Sequence, residues 1–232
     1  AVESIDNAFT DSVEAHRISD VEVGCFLSGG VDSSFVASYF GGQKAFTVGF
    51  DNGSHYNECQ YAAELAQEIG IDHYTHLIGE EEYWASLPDV QYHLDQPLAD
   101  PSCVALYFVS KLAAEHVKVV LSGEGADELF GGYRIYHEPT SLAGYQKLPR
   151  FLRRAAAAVV SALPFDFKGK SFLIRGSKTL EERFIGNAYM FNQKEKSRLL
   201  KTIPATDPRE QTAEYYRRCA GQDDVTRMQY LD

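Results

Sequence analysis

The sequence has 232 residues, 44% apolar and 24% charged, and 33 Asp and Glu outweigh 22 Lys and Arg to give a formal net charge of −11. That suits one sizeable soluble domain with room for a helical extension. No apolar run approaches the roughly 20 residues that cross a bilayer, and the N-terminus lacks the layout of a signal peptide, so a cytoplasmic location with no membrane partner is expected. A nucleic-acid partner is not expected either. The one basic cluster, Lys147, Arg150, Arg153 and Arg154, reads as the solvated face of an amphipathic helix. The four cysteines form no C-x-x-C pair and the seven histidines no H-E-x-x-H, so neither a zinc knuckle nor a redox pair is signalled. Cys25 reads as a small core residue, and Asn52-Gly53-Ser54 as a turn.

In chain order, Val2, Ile5, Phe9 and Val13 recur at helical spacing. Residues 21–27 predict a buried strand, followed by the turn Ser28-Gly29-Gly30 and a helix opening near Asp32. That helix is expected to bury Phe35, Val36, Tyr39 and Phe40 and to stop at Gly41-Gly42. A strand over 44–50, a helix over 57–69 ended by Gly70, and a strand over about 72–78 follow. Glu80, Glu81 and Glu82 open a helix near 80–93, where the dipole favours acids. Asp100 reads as an N-cap before Pro101 and a helix carrying Val104, Phe108 and Leu112. VKVVL, 117–121, reads as a fourth buried strand. This β-α-β-α-β-α-β order implies an α/β fold with a doubly wound parallel sheet covered on both faces. Beyond about residue 140 the pattern is helical. The expected organisation is therefore a core over 1–140 and a helical extension over 141–232.

Two motifs carry chemistry. Ser28-Gly29-Gly30-Val31-Asp32-Ser33-Ser34 leaves a strand and opens a helix. Glycines let backbone N–H groups approach an anion, the helix N-terminus adds positive potential, and the serines add hydroxyl donors. It lacks the G-K-[ST] ending of a Walker A loop and so has no lysine for a transferred γ-phosphate. A leaving pyrophosphate suits it better, and Asp32 beside phosphates reads as a Mg²⁺ ligand. The second motif, Ser122-Gly123-Glu124-Gly125-Ala126-Asp127-Glu128-Leu129-Phe130-Gly131-Gly132-Tyr133, also follows a strand. Asp127 is the candidate second metal carboxylate, and Glu124 a candidate for positioning or proton transfer. If the fourth strand returns beside the first, both loops meet at the switch point where such sheets bind ligands.

SGGVDSS resembles the pyrophosphate loop of the N-type (PP-loop) ATP pyrophosphatases, and LSGEGADELFGGY resembles the signature of asparagine synthetases. TVGFD, YNE, QPLADPS, HVKVVLSG and the helical LEERFIGNAY…DDVTRMQYLD match that family in order and spacing. The resemblance implies a PP-loop fold and conversion of aspartate to asparagine with ATP, through β-aspartyl-AMP and with release of AMP and pyrophosphate. It implies that Phe26, Leu27 and Val48 flank the adenosine, and that Ser28, Gly29, Gly30, Ser33 and Ser34 hold pyrophosphate. Ser122 and Gly123 would lie by the ribose or α-phosphate, Asp32 and Asp127 would hold Mg²⁺, and Glu124 would be the catalytic residue. Gln96 stands where many relatives carry Glu, which leaves the 95–102 loop without an assigned role in amino-acid binding.

Aspartate and ammonia are the expected substrates, with a homodimer as a candidate assembly. In the family a glutaminase domain with an N-terminal cysteine precedes the synthetase. This sequence begins at Ala1, so that domain is expected to lie outside it, and a basic segment that completes the site is expected beyond Asp232. Three rivals share parts of the pattern. A β-lactam-synthetase-like enzyme typically carries Tyr at the position of Glu124. A tRNA-modifying relative would want a basic face and paired cysteines. A nucleotide-binding scaffold without turnover would have no need of Asp32, Glu124 and Asp127.

Overall fold

A computed structural model describes residues 2–51, 58–96, 98, 100–186, 191, 193–202 and 207–232. The chain divides into two compact units, 1–124 and 125–232. They part inside the second motif, upstream of the division that the strand pattern places at 140.

The first unit runs α1 (Val2–His16), β1 (Val23–Phe26), α2 (Val31–Phe40), β2 (Lys44–Phe50), α3 (Cys59–Ile69), β3 (Asp72–Ile78), α4 (Glu80–His93), α5 (Ser102–Ala114) and β4 (Val119–Leu121). Its strands form one parallel sheet in the order β3-β2-β1-β4, with Cys25 opposite Ala45 and Gly24 opposite Val120. Alternation along the strands decides which helix covers which face. Cys25, Leu27 and Ala45 point to one side and pack with Ala37, Phe40, Ala62 and Ala66 of α2 and α3. Phe46 points to the other side and packs with Val109 and Ala113 of α5. The sheet is therefore doubly wound, as the strand and helix order implies. Cys25 is fully buried, and burial pushes its thiol up to about 12, which keeps it unreactive.

Two local expectations change. Phe35 is 38% exposed. It leaves the sheet and joins Phe9 of α1 and Tyr39 in an aromatic cluster with ring centroids 4.4–5.6 Å apart, because Val36, Ala37 and Phe40 already fill the sheet-facing stripe of α2. β4 is an edge strand, not a fully buried one: it starts at Val119, 37% exposed, since it pairs with β1 on one side only.

The second unit is helical among its described residues: α6 (Ala126–Phe130), a 3₁₀ turn (Arg134–His137), α7 (Glu138–Gln146), α8 (Arg150–Ala162), α9 (Lys170–Gly176), α10 (Leu180–Arg183), α11 (Gln193–Leu199), α12 (Pro208–Arg218) and α13 (Asp224–Leu231). Tyr136, Leu180, Phe184, Tyr216, Cys219 and Met228 make its core. Arg183, with a side chain only 1% exposed, is held there by Glu138 at 2.9 Å and Asp224 at 3.4 Å. Arg175 also binds Glu138. Burial pushes the Glu138 carboxyl up, but its bonds from Arg175 and Arg183 outweigh that and hold it below the ordinary range. The basic stretch of α8 is not simply solvated: Arg150 pairs with Glu182 at 3.0 Å, and Arg153 donates to the carbonyls of Leu148 and Gly176.

Candidate functional site

β1 lies between β2 and β4. The chain moves outward from β1 through β2 to β3, then returns to the other side of β1. The switch point therefore falls between β1 and β4, and at its carboxyl end the two glycine-rich motifs leave the sheet.

Gly29 adopts φ +83°, and a Cβ there would lie 2.9 Å from the Glu58 carbonyl oxygen and 3.1 Å from Tyr61 Cβ. Only glycine fits both the backbone angle and the start of α3. The turn is tied by its own serines. Ser33 Oγ accepts from the Ser28 N–H at 3.0 Å and lies 2.9 Å from Ser28 Oγ, which accepts from the Gly30 N–H at 3.2 Å. Gly30 caps α2 without a side-chain bond. The first-turn N–H groups of Val31, Asp32 and Ser33 have no intrahelical acceptor, and a helix terminus of this kind favours a nearby anion. Ser33 is 8% exposed and acts as the turn's internal strut, while Asp32 stands out at the surface.

The second motif rests on the first. A Cβ on Gly123 would be 2.7 Å from Ser33 N and 2.9 Å from Asp32 C, so the backbone of 122–124 sits directly on the first turn of α2. The Glu124 N–H donates to Ser122 Oγ at 3.2 Å, and Glu124 is exposed. Phe26 and Val48 are half-buried, packed against the α5 side of the sheet. The Leu27 side chain is 1% exposed in the opposite core. Its N–H donates to Phe46 O at 2.9 Å and its carbonyl accepts from the Thr47 hydroxyl, so any contact with a base from Leu27 is through backbone.

Thr47 escaped the sequence reading. It is 2% exposed within a strand, and its hydroxyl links the Leu27 carbonyl to His73 Nε2 at 2.7 Å. The signal was there: a single hydroxyl inside the otherwise apolar AFTVGF. Burial holds the His73 imidazole below its ordinary pKa, which favours the neutral ring.

Asp127 belongs to the second unit. It sits in α6, where its carbonyl accepts from the Gly132 N–H at 2.9 Å. A Cβ on Gly132 would fall on its carboxylate oxygen, so Gly132 leaves the space that this carboxylate occupies. Tyr56 and Asn57 of YNE, Pro97 and Ala99 of QPLADPS, residues 187–189 at the end of LEERFIGNAY and the turn 52–54 lie outside the described residues.

All four cations of the first unit gather at the other end of the sheet. Lys44 opens β2 and pairs with Glu22, Lys118 precedes β4, Lys111 is in the last turn of α5, and Arg17 lies over the Phe40 ring at the end of α2. The carboxyl end offers backbone donors, hydroxyls and carboxylates. Among the described residues no three His, Cys, Asp or Glu side chains converge as a metal site by themselves. A Mg²⁺ at Asp32 would complete its shell with phosphate oxygens and water, as that ion does with one or two carboxylates. The residues fit a Mg-polyphosphate.

The asparagine synthase family model matches residues 4–232. The chain belongs to the asparagine synthase family. It is 44% identical over its whole length to the glutamine-hydrolyzing asparagine synthetase 1 of Bacillus subtilis, covering 37% of that protein. It is 45% identical over 96% of its length to a putative glutamine-hydrolyzing asparagine synthetase of Mycobacterium tuberculosis, covering 35% of it. Asparagine synthetase B of Escherichia coli is 31% identical over 56% of the chain. The chain thus spans little more than a third of the length of the first two relatives. Among solved structures, NMN synthetase from Francisella tularensis matches at 24% identity over 56% of each chain with a TM-score of 0.38. No helix among the described residues is long and apolar enough to cross a membrane.

Proposed function

We propose that this member of the asparagine synthase family serves ATP-dependent amidation of aspartate to asparagine. The observation that carries the reading is the seating of Gly123 on the first turn of α2, so close that an added Cβ would lie 2.7 Å from Ser33 N. It joins the two motifs into one phosphate cradle at the sheet's switch point. The cradle has no lysine of its own unit near it, which suits a pyrophosphate that departs better than a γ-phosphate that is handed on.

In the proposed reaction the β-carboxylate oxygen of aspartate attacks the α-phosphorus of ATP. The bond to the β-phosphate oxygen breaks and pyrophosphate leaves into the cradle of Ser28, Gly29, Gly30, Ser33 and Ser34. Ammonia then adds to the acyl carbon of β-aspartyl-AMP, AMP leaves, and the nitrogen gives up a proton. Asp32 and Asp127 are the proposed Mg²⁺ ligands, and the cation offsets charge on the phosphates. Phe26, Val48 and the Leu27 backbone are proposed to flank the adenosine, with Ser122 and Gly123 by the ribose or α-phosphate. Glu124 is proposed to take part in adenylation or in the proton transfer that accompanies ammonia attack. Glutamine, hydrolysed by a glutaminase domain, is the proposed ammonia source, in line with the relatives' names.

The test is a product assay on the full-length protein with Mg-ATP, ammonia and single amino acids as acceptors. AMP and pyrophosphate formed in step with asparagine, dependent on aspartate, is the expected result. Stoichiometric ADP and phosphate would overturn the mechanism. AMP formation driven by a different carboxylate would overturn the substrate.

A further inference from the structure

The two units carry opposite charge. Residues 1–124 hold 20 Asp and Glu against four Lys and Arg, whereas residues 125–232 hold 18 Lys and Arg against 13 Asp and Glu. In the second unit the excess is concentrated. A cavity of about 410 Å³ is lined by Arg154, Arg175, Lys178, Arg183, Lys196 and Arg209, with Glu182 and Asp207 as the acids among its described lining residues. A second cavity of about 260 Å³ shares Lys178 and Arg183 and adds Arg150, Arg153 and Arg227.

Several features separate this cluster from a scatter of surface charge. Arg183 is buried and clamped between Glu138 and Asp224, so its position is fixed by the core. Glu182 is tied to the Thr179 N–H at 2.8 Å and to Arg150 at 3.0 Å, and Asp207 is tied to Arg209. The lining acids are thus engaged with cations of the same two cavities, Arg150, Arg154 and Arg209. Lys178 has no ion-pair or side-chain hydrogen-bond partner among the described residues. Arg227 Nε, in the second cavity, is buried without an acceptor among the described residues. The ionisation of the acids points the same way. Both lie below their ordinary range, Glu182 through the Thr179 N–H and Arg150, and Asp207, at about 2, through its bonds from Arg209.

We infer that this cavity in the helical unit binds a small, multiply charged oxyanion, phosphate- or carboxylate-bearing, through residues other than those of the nucleotide cradle. The volume is that of a small-molecule site, and guanidinium forks match carboxylate and phosphate oxygens in geometry as well as charge. Arg183, held by Glu138 and Asp224, and Lys178 line both cavities and supply one immobile and one adjustable donor. Four of the six lining cations are ion-paired within the protein, Arg154 with Glu182, Arg175 and Arg183 with Glu138, and Arg209 with Asp207, so the charge left for a ligand centres on Lys178.

The test is calorimetric titration of the protein with pyrophosphate and, separately, with citrate, in buffer freed of divalent cations over a chelating resin. Wild type is compared with Lys178→Ala and with Arg154→Ala/Lys178→Ala. Neither residue belongs to the nucleotide cradle, and Lys178 has no partner to orphan among the described residues, so the single variant keeps its fold; circular dichroism and the melting temperature check this. At least one probe should bind wild type, and the variants should weaken that event about tenfold or more, the loss of one charge-assisted contact. Preference for pyrophosphate would assign a phosphate ligand, and preference for citrate a carboxylate one. A pyrophosphate event that survives in both variants belongs to the nucleotide cradle, so failure here is distinguishable from failure of the proposed reaction. No binding by either probe, or affinities unchanged in both variants, overturns the inference.

Discussion

Gly123→Ala tests the joint between the two motifs with a single methyl group. The added Cβ would stand 2.7 Å from Ser33 N, 2.9 Å from Asp32 C and 3.1 Å from Ser33 Cα. All three are backbone atoms of a helical turn, so no side chain can swing away. Relaxing to ordinary contact of about 3.5 Å requires the signature loop and the α2 terminus to part by roughly 0.8 Å. Overpacking of this kind costs about 1–3 kcal/mol of stability. The larger effect should be kinetic, because a displacement near 1 Å in a positioning element can cost ~10²-fold. The assay is aspartate-dependent pyrophosphate release by the full-length protein, run beside thermal unfolding. Gly144→Ala is the control: that glycine lies in α7 with nothing within 4 Å of an added Cβ, and alanine there should be neutral or stabilise by up to about 1 kcal/mol. If Gly123→Ala retains turnover within about threefold of wild type, on the scale of the loss expected from misplacement, the two loops do not work as one cradle.

Asp32→Asn should leave the melting temperature nearly unchanged, because the side chain is exposed, while lowering Mg-dependent adenylation by several kcal/mol in barrier, roughly the worth of metal charge stabilisation; pyrophosphate release at saturating Mg²⁺ measures it. Thr47→Val keeps the shape but strips the hydroxyl that serves both Leu27 O and His73 Nε2, so chemical denaturation should show a loss of about 1–3 kcal/mol for groups left unsatisfied, and an unchanged midpoint would mean the link carries no weight. In the second unit, Glu138→Gln removes the nearer of the two carboxylates that hold the buried Arg183, leaving Asp224 at 3.4 Å, and should cost up to about 3–5 kcal/mol. Because the folded Glu138 ionises below the usual 4.5, its stabilisation is complete above that pH and is lost as pH falls through the lower folded value; the variant should therefore show a flatter decline in stability below pH 4.5, and parallel acid-unfolding curves would refute the assignment.

The sheet was legible because β1, β2 and β4 are short apolar runs bounded or punctuated by glycine, and the motifs because small residues and acids have no reason to follow a strand unless the backbone must approach something. The return of β4 beside β1 was the condition for the two motifs to meet, and the observed order satisfies it. What periodicity could not supply was the choice between packing partners. Phe35 and Tyr39 look as fit for the sheet as Val36 and Phe40, yet α1 competes for them. Leu27 was legible as part of the site's strand, but its side chain belongs to the core; sequence cannot show which side of a strand a residue at the last pleat takes. Thr47 was hidden for a related reason. A threonine in a strand is ordinary, and its role appears only when β1 and β3 place a carbonyl and an imidazole on either side of it. The basic face of α8 looked solvated because its acceptors, Glu182 and the Gly176 carbonyl, come from segments more than twenty residues away.

The distribution of charge in the first unit decides what nucleotide binding must require. A phosphate in front of α2 gains from the helix terminus about 0.3–1 kcal/mol, and up to ~2 where partly buried. It also meets Asp32 on the same turn. At about 5 Å and an effective dielectric near 20, each phosphate charge is repelled by that carboxylate by ~3 kcal/mol, more than the terminus returns. No Lys or Arg of this unit stands at that end of the sheet to reverse the balance. A divalent cation between carboxylate and phosphate turns this repulsion into attraction, so metal should be a condition of binding and not only of turnover. Asp32→Asn should then have opposite effects in the two conditions: weaker ATP binding than wild type in Mg²⁺, and stronger binding than wild type in EDTA, where the repulsion has been removed along with the ligand. Equilibrium titration with a fluorescent ATP analogue reads both. Wild-type binding that is equal with and without divalent cation would place the phosphates away from Asp32 and dissolve the reason for assigning it a metal.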